Sequence, residues 1–282
     1  MTAAEFFAAL ATLSGLIFVV TSMLAMGMSL TIAQILQPLR NARLVILGLL
    51  ANFVLVPGLA YLILRILPLD PSLQIGLILL STAAGAPFLP KLVQVAKGNV
   101  AFGVGLMVLL MTVTIVYVPI VLPLLLPGVE ANPWDIAKSL IVVMLVPLVF
   151  GLLVRSGAPE TADHYQPLMN KTSSLAILAL TVLGLGLNLS SILDLIGSLG
   201  ILALLLFVFV AFGLGFVLGG PEPGTRSVLG LGTAQRNISA AIVVGAQNFA
   251  SDPGVLTFIL VAAIVSLLVL MPLAKRLGAE RG

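Results

Sequence analysis

The chain has 282 residues, of which 60% are hydrophobic and only 8% charged. A soluble domain carries about 25% charged residues to wet its surface, so a water-soluble globule is excluded, and the net charge of +3 gives no reason to expect nucleic acid as a partner. Cysteine is absent, which removes disulfides and thiolate metal sites.

Many apolar runs exceed the ~20 residues that cross a bilayer as a helix. They are continuous rather than alternating, unlike the strands of a membrane barrel. The fold class is therefore an all-α polytopic membrane protein. Nine spans are predicted, at about 8–33, 41–67, 72–97, 99–127, 134–155, 167–189, 196–219, 224–250 and 254–276, with bounds good to a few residues. The first is too long for a signal peptide, and Glu5 stands where a signal's basic residue belongs. The longest connection, Ser156 to Gln166, is polar, reads as a loop and holds the single histidine, His164. No stretch suffices for a separate soluble domain. Residues 1–282 thus read as a single transmembrane domain, with a first half at about 1–128 and a second at about 133–282.

The basic residues set an expected orientation. With the N-terminus outside, the cytoplasmic side receives Arg40, Arg43, Lys97, Arg155, Lys171, Arg226, Lys275, Arg276 and Arg281, and the outside only Arg65 and Lys138. The C-terminus is then cytoplasmic, and the location expected is a bacterial cytoplasmic membrane. Trp134, Tyr61, Tyr117 and Tyr165 lie at or near span ends and read as interfacial anchors. The glycine pairs Gly184/Gly186 and Gly213/Gly215 read as close helix contacts.

Away from the span ends, two basic residues, Lys91 and Arg236, fall inside spans, and no acid does. Lys91 is in the third span, in the run Ser81-Thr82-Ala83-Ala84-Gly85-Ala86-Pro87-Phe88-Leu89-Pro90-Lys91. Each proline removes an N–H donor and clashes with the preceding turn, so Pro87 and Pro90 predict a broken helix. A simple kink is the alternative for this span taken alone. Lys91 stands about 9 Å from the inner end at ~1.5 Å per residue, so it either lines a pathway or snorkels. Arg236 is about 15 Å deep, amid Thr233, Gln235, Asn237 and Ser239 in the eighth span. An arginine at mid-membrane costs ~2.5 kcal/mol or more, so such a cluster marks a pathway. Interruptions in similar places of two halves are the pointer to inverted repeats whose broken helices meet at the bilayer midplane. With two cations there and positive half-helix N-termini, the site should attract an anion.

At these residues the chain resembles the bile acid:sodium symporter family. The run Met23-Leu24-Ala25-Met26-Gly27-Met28-Ser29-Leu30-Thr31 is similar to the family's "MFGMGLTL". Pro38-Leu39-Arg40, Asn41-Ala42-Arg43 and a helix holding Asn52 and Pro57 follow, and Lys97-Gly98-Asn99-Val100-Ala101 matches the family's "RGNVAL". The resemblance covers nearly the whole chain. It implies a core domain with two crossed, interrupted helices and a panel domain that moves against it, in four spans plus five.

The departures fall at the family's sodium sites. Its "GGTASN" aligns with Gly85 to Pro90, so that a sodium-binding Ser-Asn pair becomes Leu89-Pro90, and two hydroxyl ligands on the next helix become Gly103 and Met107. Its "EVGMQN" aligns with Gly232 to Asn237, so that a sodium-ligating Glu becomes Gly232 and a Gln becomes Arg236. Asn237 and the amide of Asn52 persist. A rival register on Gly245-Ala246-Gln247-Asn248 leaves too few residues before Asp252-Pro253.

The expected function is alternating-access secondary transport of a small or amphipathic organic anion, without sodium coupling, because a guanidinium stays charged and repels a second cation at low dielectric. Its donors would be met by carbonyls freed at Pro87 and Pro90, by Asn52, Gln235 or Asn237, by the hydroxyls of Ser81, Thr82 or Thr233, or by the substrate. Ordinary sodium symport is the alternative within the class; a channel or sensor on the same fold is the alternative outside it. No nucleophile–base pair, carboxylate dyad or ligand cluster lies in the spans, so neither an enzyme nor a metal or cofactor site is expected. The partners expected are the anion and the lipid bilayer.

Overall fold

The computed structural model describes residues 3–36, 40–126, 133–187 and 198–280. The described elements are helical. In chain order they are α1 (Ala3–Ser29), α2 (Ile32–Leu36), α3 (Ala42–Leu50), α4 (Val56–Ile66), α5 (Pro71–Thr82), α6 (Leu89–Val95) and α7 (Val100–Leu125). Then follow α8 (Pro133–Leu140), α9 (Val146–Gly157), α10 (Pro159–Leu187), α11 (Gly200–Leu218), α12 (Pro223–Ala234), α13 (Ile238–Asn248) and α14 (Pro253–Ala279). Six stretches are long and apolar enough to cross a membrane: Ala9–Ser29, Ala42–Ile66, Val100–Leu125, Pro133–Gly157, Gly200–Leu218 and Pro253–Ala279. The chain is a multi-pass membrane protein. By contrast α5, at 12 residues, reaches about 18 Å, well short of the ~30 Å hydrocarbon core. It crosses only in tandem with α6, as α12 does with α13.

Two of the long spans carry a single π turn, at Ala51–Leu55 between α3 and α4 and at Ile141–Leu145 between α8 and α9. Each precedes a Val-Pro pair, Val56-Pro57 and Val146-Pro147. Pro57 has no N–H for the carbonyl of Phe53. Tyr117 meets that carbonyl instead, its hydroxyl donating to Phe53 O at 2.7 Å while the two rings pack 4.7 Å apart. Tyr117 is thus a tie between α7 and the second span, and not the interfacial anchor its position suggested. Tyr61 does bond near a helix end, donating to Leu125 O.

The helices form two packed groups. In one, α1 lies along α9 and α10. Gly27 of α1 and Gly151 of α9 face each other so closely that a Cβ on either would overlap the other helix's backbone. In the second group, α11 packs on α12, α14 on α5, and α6 and α12 on α7. The groups touch where α1 and α8 meet α13 and where α10 meets α14.

Two expectations need correction here. The segment expected as a loop is mostly helix, because α10 begins at Pro159 and carries His164 in its second turn. Pro at the start of a helix and Glu160 in its first turn are favourable there. Of the glycines read as close helix contacts, Gly215 does press on Leu229 and Thr233 of α12, whereas Gly186 and Gly213 face open space; the surroundings of Gly184 lie outside the described residues.

Candidate functional site

The first break runs from Ala83 to Phe88. Residues before a proline avoid the α region, and Gly85 takes φ +78°, a left-handed conformation that suits glycine. Gly85 also sits against the backbone of Met111 on α7, where any Cβ would collide. Several peptide groups released by the break find partners on other elements. The Thr114 hydroxyl accepts from Ala84 N at 3.0 Å and donates to Ala84 O at 3.1 Å. Ala83 O, released because Pro87 has no N–H, accepts from Asn237 N at 2.9 Å. Gly85 O accepts from Asn237 Nδ2 at 3.0 Å.

The second break is shorter, Gln235 to Asn237. Asn237 caps α13, its Oδ1 accepting from Ala240 N, as expected of asparagine before a helix. One residue therefore starts a half-helix and stitches the two breaks together. The crossing lies at Leu80–Gly85 against Thr233–Asn237, one to two turns before the Pro87–Pro90 level expected from sequence. Pro87 frees the carbonyl of Ala83, four residues before it, and the other acceptors, Leu80 O and Ser81 O, belong to the last turn of α5, so the crossing lies upstream of the prolines themselves.

Arg236 is 2% exposed and points into this crossing. Its Nε donates to Leu80 O at 2.9 Å, one terminal nitrogen to Ser81 O at 2.8 Å, and the other to Asn52 Oδ1 at 2.7 Å and Thr233 O at 3.1 Å. Leu80 and Ser81 lie in the last turn of α5, which ends at Thr82, and Thr233 in the last turn of α12, which ends at Ala234. These carbonyls are the ones a helix C-terminus leaves without partners, and the macrodipoles place negative charge there. The guanidinium therefore occupies a cation position built by two half-helix ends. Asn52 stands in the π turn and faces it, its amide nitrogen donating to Gly48 O at 3.0 Å and to Thr233 Oγ1 at 3.4 Å. Arg236 therefore donates to Asn52 and to the main-chain carbonyls of Leu80, Ser81 and Thr233. The carbonyls of Ala83 and Ala86, released by the two prolines, accept instead from Asn237 N and Leu89 N.

A cavity of about 550 Å³ opens between this crossing and the α1–α10 group. Its walls include Pro87, Pro90, Lys91, Gln235, Arg236 and Ser239 from the two breaks. Facing them are Phe18, Ser22 and Met26 of α1 and Gln166, Asn170, Ser173 and Ser174 of α10. The α10 residues recur at four, three and one positions and share a helix face. Lys91 and Arg236 are the charged residues of the lining, and both are cationic. Lys91 is exposed, its Nζ 3.4 Å from Gln94 Oε1. Gln235 keeps its Oε1 buried with no hydrogen-bond partner among the described residues.

Not every expected residue is brought to the cavity. Asn52, Ser81, Thr233 and Asn237 belong to the crossing behind it. The hydroxyls of Ser81 and Thr82 turn back on their own helix, to Ile78 O at 2.8 and 3.1 Å. Gly232 faces the Leu89 and Leu106 side chains, 3.0 and 3.6 Å from where its Cβ would stand. Met107 lines the cavity, and Gly103 packs on Val93. Thr114 went unread in the sequence; its one signal is a hydroxyl in mid-span on an otherwise apolar helix face. The polar wall of α10 has as little signal: Gln166 closes the segment that reads as a loop, and Asn170, Ser173 and Ser174 stand in the first turns of the predicted sixth span with no interruption to single them out.

The Sodium Bile acid symporter family model matches residues 16–219 of the chain. The match includes the first broken helix and ends just before α12. Among curated proteins, the chain is similar to the probable sodium/metabolite cotransporter BASS2, chloroplastic, of Oryza sativa subsp. japonica, with 30% identity over 70% of this chain and 47% of that protein. It is also similar to the probable sodium/metabolite cotransporter BASS3, chloroplastic, of Arabidopsis thaliana (25% identity, 83% and 56%). A third relative is the uncharacterized sodium-dependent transporter YocS of Bacillus subtilis (28%, 60% and 54%). The chain spans about half the length of these relatives.

Proposed function

The chain belongs to the Sodium Bile acid symporter family, and we propose from that premise that it is a secondary transporter of a small or amphipathic organic anion that works without sodium coupling. One observation carries the reading: the guanidinium of Arg236 is held by carbonyls at the ends of both α5 and α12 and by Asn52. A side-chain cation already fills the place where freed carbonyls and half-helix C-termini hold a coupling ion in transporters of broken-helix design. The position aligned with the family's sodium-ligating Glu supports the same reading, since Gly232 is packed against Leu89 and Leu106. A sodium ion there would lose water without gaining oxygen ligands.

Lys91 and Arg236, with no acid in the lining, support an anionic substrate. The cavity between the two helix groups supports alternating access, with one group moving against the other. Proteoliposome uptake of candidate carboxylates tests the proposal. Equal initial rates under an inward sodium gradient and in equimolar choline are expected, and sodium-stimulated uptake overturns it. The names of the relatives favour that second outcome, since they are described as sodium/metabolite cotransporters or as sodium-dependent.

A further inference from the structure

We propose that the groove between the start of α3 and the end of α11 binds an anionic phospholipid, with the lipid phosphate on Arg43. The groove encloses about 580 Å³ and is bounded by Arg43, Ile46 and Leu47 of α3 and by Val217, Leu218 and Gly220 at the end of α11. Arg43, Ile46 and Leu47 are spaced three and four apart and present one helix face. One span begins at Ala42 and another ends at Leu218, so the groove lies where both helices leave the hydrocarbon, with Arg43 at its polar end. Ile46 and Val217 are 62% and 75% exposed and form apolar walls open to acyl chains. Gly220 has φ +79° and nothing within 4 Å of where a Cβ would stand, so no side chain closes the opening.

The charge balance selects the occupant. None of the lining residues is acidic. The ion pairs among the described residues are Arg155 with Asp163 and Arg276 with Glu280, and Arg43 is in neither. No group among the described residues accepts a hydrogen bond from it. The neighbouring Arg226 differs, since its guanidinium lies 4.1 Å over the Phe216 ring. Arg43 is thus a fork of donors, suited to a phosphate, at the mouth of an apolar slot. A free phosphate ion satisfies the arginine and leaves the slot uncovered. A zwitterionic lipid fills the slot but brings its own ammonium toward Arg43. An anionic phospholipid satisfies both ends, as in basic pockets between helices elsewhere.

The test uses the intact protein, delipidated in detergent, and its Arg43→Gln and Val217→Trp variants. Both positions are exposed, and the second substitution fills the slot while keeping the arginine. Ligands are phosphatidylglycerol, phosphatidylcholine and inorganic phosphate, read by native mass spectrometry and thermal unfolding. Phosphatidylglycerol should be retained by the unmodified protein and raise its Tm more than phosphatidylcholine does. Retention should fall about fivefold in Arg43→Gln and also fall in Val217→Trp. Equal shifts from the two lipids, retention unchanged in either variant, or inorganic phosphate reproducing the full shift would each overturn the proposal.

Discussion

Arg236 and Asn52, 184 positions apart, are joined by a hydrogen bond of 2.7 Å from guanidinium to amide oxygen. Asn52 has no rotational freedom to lose, because its nitrogen is already held by Gly48 O and Thr233 Oγ1. The amide therefore presents an acceptor to whatever cation occupies the crossing. Replacing Arg236 by Gln leaves three carbonyls and this amide without a charged donor. The cost should be on the order of 3 kcal/mol or more, at ~1–3 kcal/mol per buried unsatisfied group. The variant should unfold at lower temperature than the unmodified protein in choline chloride and regain part of the loss in sodium chloride. If sodium stabilises both proteins equally, Arg236 is not a substitute for a bound ion.

Lys91 differs from Arg236 in being exposed, with one weak contact to Gln94. It is the cation of the cavity that is free to meet a ligand. Lys91→Gln should raise the KM for an anionic substrate about tenfold or more, the loss expected of one charged hydrogen bond. The response to sodium should stay as it was. An unchanged KM would place Lys91 at the cavity's rim, outside the substrate's path.

The first break depends on Gly85 and Thr114. Gly85→Ala adds a Cβ against the Met111 backbone in a left-handed conformation. It should abolish a monodisperse peak in detergent gel filtration. Thr114→Val keeps the shape and deletes both bonds to Ala84, for about 1–3 kcal/mol. Thr114→Ser should behave like the unmodified protein; if Ser is as damaging as Val, the methyl group matters and the hydroxyl does not.

The α1–α9 contact is testable in the same way. Gly151→Ala meets Leu24 O and the Gly27 Cα, and two helix backbones must separate to admit it. In a membrane, where close packing rather than hydrophobicity holds helices together, stability should fall by about 1–3 kcal/mol. A thermal unfolding midpoint equal to that of the unmodified protein would show that the helices slide apart at no cost.

The order of spans and both broken helices were legible in the sequence, because Pro87, Pro90 and the cluster around Arg236 cannot sit in an unbroken apolar helix. The partners of Arg236 were only partly legible. Three of its bonds end on main-chain carbonyls, which no side chain announces. The level of the crossing differs from the expected one for the same reason, since the prolines are visible in the sequence and the open carbonyls of the helix end before them are not. The π turns at Ala51–Leu55 and Ile141–Leu145 are built from apolar residues like those of any span. Their only trace is a proline beyond the turn. The polar start of α10 looked like a loop because a helix projecting past the membrane has no need of apolar residues.

Under the proposed function, the tether of Arg236 to both half-helices would also set the electrical sign of the cycle. A coupling ion is released at one face and collected again at the other, and so contributes to the current. A guanidinium fixed in the chain returns with the protein and contributes nothing net. Inward passage of a monoanion would then move one uncompensated negative charge, against an interior-negative voltage worth about 2.3 kcal/mol per 100 mV. If the proposed sodium-independent transport of an anion holds, net flux in a polarised cell should run outward unless the external anion concentration is high.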